Sequence, residues 1–80
     1  MNIYKISQNE NNRWDTYDSA VVIAKDEEEA RNTHPDQEDG KFGAYSLNTW
    51  ASSPDKVRVE FIGVTDIEEP QVVVASFNAG

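Results

Sequence analysis

The residue types best suited to recognition gather in one short stretch. Asn11, Asn12, Arg13, Trp14, Asp15 and Tyr17 follow one another within seven positions, next to Asn9 and Asp18. Amides select hydrogen-bonding patterns, aromatic rings stack or anchor an interface, and a guanidinium holds an anion. The same composition fits a tight connection whose Trp14 and Tyr17 fold back onto a small core, and both readings stay open. A second group is acidic. Residues 26–39 contain Asp26, Glu27, Glu28, Glu29, Asp36, Glu38 and Asp39 against Arg31 alone, and Asp66, Glu68 and Glu69 form a further acidic run. Glu27, Glu28, Asp36, Glu38 and Asp39 are the candidates for steering a basic partner, set against the plainer reading of a hydrated face.

Other chemistries find little support. There is one histidine and no cysteine, so zinc sites of the Cys/His kind are excluded. An EF-hand loop with its glycine at Gly40 would start at Pro35 and end at Ser46, where carboxylates are needed. No glycine-rich phosphate-binding motif is present. His34 lies beside Pro35 at a predicted helix end, where a cap or a surface position is the simpler role than catalysis. The sequence therefore points to a non-enzymatic protein with no catalytic residues, no metal and no cofactor.

The elements that must carry these residues follow from periodicity. Ile3–Gln8 is β-prone, and the asparagine-rich stretch after it marks a turn. Tyr17–Ala24 is a second strand, and its continuous apolar centre predicts burial on both faces. Asp26 followed by Glu29 is a capping-box signature, and Pro35 ends the helix at about Thr33. Residues 35–55 form a long loop whose aromatic half, including Trp50, is expected to fold over the core. Val57, Val59 and Phe61 alternate with Arg58 and Glu60, predicting a strand with one buried face. Gln71–Phe77 is the last strand, expected to pair with 57–62 as a hairpin. The fold class is α+β, a small antiparallel sheet of about four strands in β-β-α-β-β order with one short helix on a face.

Eighty residues form a single domain, 1–80. Seven Lys and Arg against fifteen Asp and Glu give a formal charge of −8, which disfavours direct contact with nucleic acid or an anionic membrane. No apolar run suits a membrane span, and no charged leader precedes an apolar stretch. So small a core lacks a disulfide staple, and a homodimer through a β-rich edge such as Val72-Val73-Val74 is a further expectation.

A resemblance adds to this reading. It is carried by Asn9-Glu10-Asn11-Asn12, by the run Trp14-Asp15-Thr16-Tyr17-Asp18-Ser19-Ala20-Val21-Val22, and by Glu29-Ala30-Arg31 with His34-Pro35. Trp50, Ser53-Pro54, Val57-Arg58-Val59-Glu60, Ile62-Gly63 and the terminal Ala75-Ser76-Phe77-Asn78-Ala79-Gly80 extend it along nearly the whole chain. With these residues the chain resembles a family of small uncharacterised phage and prophage proteins. The resemblance implies a phage accessory protein acting in the bacterial host cytoplasm, and it transfers no catalytic residue. Two functions are then expected in competition. One is binding and inhibition of a host protein with a basic surface, such as an antiviral defence component, with nucleic-acid mimicry as its strong form. The other is sequestration of a small nucleotide-like signal ligand by a small, dimeric binding domain.

Overall fold

The computed structural model describes residues 1–11, 15–35 and 49–78. Among them, four strands form one antiparallel sheet: β1 (Asn2–Ser7), β2 (Thr16–Ala24), β3 (Arg58–Val64) and β4 (Gln71–Asn78). The short helix α1 (Glu27–Arg31) follows β2, and a 3-10 turn at Pro54–Lys56 leads into β3. The α+β class read from periodicity holds.

The strand pairing differs from the sequence expectation. Strands β1 and β2 pair antiparallel, as expected, but the sheet order is β3-β1-β2-β4. Strands β3 and β4 therefore occupy opposite edges and form no hairpin. Residues 65–70 instead cross the end of the sheet. Main-chain bonds in both directions between Met1 and Thr65 extend the β1–β3 ladder past its last strand residue. The crossing covers three strand spacings, about 14 Å, and six residues reach about 20 Å. Nearest-neighbour pairing yields because the segment carries Asp66, Glu68, Glu69 and Pro70 rather than the short turn that a hairpin favours.

Directly opposed residues in antiparallel strands share a face. The ladders thus put Tyr4, Ile6, Ala20, Val22 and Ala24 on one side, where all are buried. Ala30 of α1, with Trp50, Ala51 and Val57, completes the cluster over that face. Burial of Trp50 agrees with the expectation for the loop's aromatic half, while Phe42, Tyr45 and Leu47 lie outside the described residues. Of the apolar run, Ala20, Val22, Ile23 and Ala24 are buried, but Val21 on the opposite face is only half-buried, so burial on both faces is reached only at the end of the strand.

The helix start follows its sequence signature. The Asp26 carboxylate accepts the Glu29 N–H at 2.8 Å. Glu29 returns its own carboxylate one residue further back than a standard capping box, to the Lys25 N–H at 2.9 Å. The helix stops at Arg31 rather than Thr33, because Asn32 and Thr33 turn their side chains onto the carbonyls of Glu28 and Glu29. His34 is fully buried, edge-on to Trp50 with ring centroids 6.4 Å apart, so it is neither a surface residue nor an exposed cap.

Two of the three residues expected to line the core along β3 need correction. Val57 is buried, but just ahead of the strand; Val59 is half-buried against the cluster. Phe61 points to the core face opposite Tyr4, yet 58% of it is exposed, because it stands on an edge strand. It meets Tyr4 edge-on at 5.8 Å. Phe61→Ala is accordingly expected to cost about 1 kcal/mol or less, not the several kcal/mol of a core phenylalanine. Urea unfolding checks this, and a loss above about 3 kcal/mol would return Phe61 to the core.

Candidate functional site

The first candidate lies at the β1–β2 connection. Tyr4 and Ile6 share one side of β1, and Gln8, just past the strand's end, continues that parity with its side chain inward. Its amide nitrogen donates to the carbonyls of Asn11 at 2.8 Å and Tyr17 at 2.9 Å. Its amide oxygen accepts the Asn11 N–H at 2.7 Å. The Gln8 N–H itself donates to the Asp18 carbonyl, and the Tyr17 N–H to that of Thr49 at 2.7 Å. Asn11 is buried and its side-chain amide lies 3.5 Å from the Trp50 carbonyl. Ser52 N–H donates to the Glu10 carboxylate. This amide network ties the two ends of the connection to the 49–52 segment.

The proposed binding residues therefore divide. Asn11 is part of the buried scaffold rather than the surface. Asp15 is exposed and holds a left-handed backbone with φ of 60°, a conformation that Asp and Asn tolerate better than most residues. Tyr17 is half-buried and packs on Phe77 with centroids 4.8 Å apart. Asn12, Arg13 and Trp14 lie outside the described residues.

The second candidate is an acidic pole made by topology. The ladders pair Asn2 with both Ala24 and Val64, and Ile23 with Gln71. The end of β2, where α1 begins, is thus also the end of β3 and the start of β4. Consequently Asp26–Glu29 and the crossing segment with Asp66, Glu68 and Glu69 leave from the same end of the sheet. Residues 25–31 and 65–70 hold seven carboxylates against Lys25 and Arg31, leaving −5 of the chain's formal −8. Arg31 is engaged with Glu27 at 3.0 Å and with the Val57 carbonyl. Glu27, Glu28, Asp66, Glu68 and Glu69 are all exposed. Among the described residues no group of three His, Asp or Glu is placed to hold a metal ion. Asp36, Glu38 and Asp39 lie outside the described residues.

The two candidates stand at opposite ends of β2. Nine residues separate them, about 27 Å of strand. Charges that far apart are largely screened from each other across a Debye length of about 8 Å, so the pole and the connection are electrostatically separate features. Both acidic runs are visible in the sequence, but only the strand order brings them together. Away from both sites, the Ser53 hydroxyl donates to the exposed Asp55 carboxylate and lowers its pKa.

Among the described residues no helix is long and apolar enough to cross a membrane. Compared with known proteins, the chain matches no family model, no curated protein and no solved structure.

Proposed function

We propose that the chain is a non-enzymatic, phage-type accessory protein that binds a basic surface on a host protein and inhibits it in the bacterial cytoplasm. The observation that supports this reading is the acidic pole. Two acidic runs 37 positions apart in sequence, from Glu29 to Asp66, present their exposed carboxylates at one end of the sheet. Such a concentration of one sign of charge speeds encounter with a surface of the opposite sign and selects against acidic partners. A target that itself binds nucleic acid meets this requirement, and an antiviral defence component is the class implied by the phage resemblance.

The competing reading, capture of a nucleotide-like ligand, draws on the Tyr17–Phe77 ring pair beside the connection, which offers an aromatic surface for a base. One experiment separates them. The tagged protein is used to capture partners from bacterial lysate at low and high salt, alongside a thermal-shift series with mono-, di- and cyclic nucleotides. Salt-labile capture of one basic protein, whose activity then falls on adding the pure chain, supports inhibition. A nucleotide that raises the melting temperature, with no such capture, supports the ligand reading, because binding to the native state stabilises it.

A further inference from the structure

The β4 edge has the composition of a surface made for pairing. From Gln71 to Asn78 it carries no charged residue, in a chain of formal charge −8. Val73, Val74 and Phe77 are 55%, 59% and 46% exposed along it. The opposite edge, β3, bears exposed Arg58 and Glu60, the kind of charge that protects an edge from strand addition. Both edge strands contain a register shift, at Ile62 on β3 and at Val73 on β4, so bulges alone do not distinguish them. The difference is charge.

We infer that β4 pairs antiparallel with β4 of a second copy, joining two four-stranded sheets into one. Charge selects both occupant and orientation. A neutral apolar edge gives the basic partner of the acidic pole nothing to pair with, whereas a second copy presents the same neutral strand. Gln71 begins β4 at the acidic pole. Antiparallel pairing sends the two poles to opposite ends of the joined sheet, a strand length of about 24 Å apart. That exceeds the screening length of about 8 Å, so the poles do not oppose association. Parallel pairing would set them side by side. The added burial also meets the need of a domain with a small core and no disulfide. The pairing is argued from the composition of the β4 edge and not from the binding of a host protein, so it does not depend on the inhibitory function proposed above.

Sedimentation of the whole chain across a dilution series tests this. The wild-type mass is expected to rise from one chain to two with concentration. Val74→Lys puts a charge on the exposed edge and is expected to raise the dimer dissociation constant about tenfold or more, with the low-concentration circular dichroism spectrum unchanged. Ser76→Lys serves as a second edge variant if Val74→Lys fails to fold. Glu60→Lys, on the other edge, is expected to dimerise like wild type. With no native cysteine, Gln71→Cys is expected not to cross-link two copies on oxidation. A wild-type mass of one chain throughout, or a folded edge variant that dimerises unchanged, overturns the pairing. Loss of dimer in Glu60→Lys assigns it to β3, and rapid Gln71→Cys cross-linking overturns the antiparallel orientation.

Discussion

Trp50→Ala is expected to cost about 3–5 kcal/mol and to leave the protein only marginally folded at room temperature. Trp50 is fully buried in the cluster that joins Ile6, Val22 and Ala30, and His34 packs on its ring. Its removal opens a cavity between the 49–52 segment and the sheet, in a domain whose total stability is of the order of 5 kcal/mol. Trp50→Phe gives the internal control. Among the described residues the buried Trp50 indole nitrogen has no hydrogen-bond partner. Phenylalanine keeps a ring while deleting that unsatisfied donor, so its loss of packing is partly offset. Urea unfolding is expected to rank wild type close above Trp50→Phe and far above Trp50→Ala. Equal midpoints for wild type and Trp50→Ala would remove Trp50 from the core.

Gln8→Leu is the second large effect. Leucine has a similar volume but satisfies none of the three main-chain groups that Gln8 engages, and it leaves the buried Asn11 N–H without its acceptor. Orphaning buried polar groups costs about 1–3 kcal/mol each. At roughly 4–8 °C per kcal/mol for a domain of this size, the melting temperature should fall by at least several degrees. Because the network anchors the connection, amide exchange at Asn11 and Tyr17 should accelerate more than exchange in the middle of β1. Unchanged melting and unchanged exchange at these two positions would mean that the network does not hold the connection.

The division between what could and could not be read from sequence follows physical lines. The continuous run of β2 and the Asp26 cap are local signals, and each appears where its pattern indicates. Alternation in β3 correctly gave the facing direction of Phe61, but alternation does not say whether anything covers that face at a sheet edge. The expected β3–β4 hairpin rested on adjacency in sequence. The main-chain bonds between Met1 and Thr65 belong to a longer-range pairing that no local pattern encodes. Burial of His34 depends on Trp50, sixteen positions on. The inward parity of Gln8 was legible, since it continues the series Tyr4 and Ile6, yet a polar residue there reads as solvent-facing until its amide partners are known. The acidic pole shows the same pattern, because both runs were visible and their meeting required the strand order.

On the reading proposed above, the acidic pole drives association with a basic host protein. The most direct test is the association rate of the captured partner as a function of ionic strength. Wild type is compared with a variant carrying Glu27→Gln, Glu28→Gln, Asp66→Asn, Glu68→Gln and Glu69→Gln. These side chains are exposed, so the fold should persist. The wild-type rate is expected to fall steeply with added salt, while the neutral variant associates about tenfold or more slowly at low salt, with a flattened dependence. Equal rates and equal salt slopes for the two proteins would contradict the account and reduce the pole to an aid to solubility.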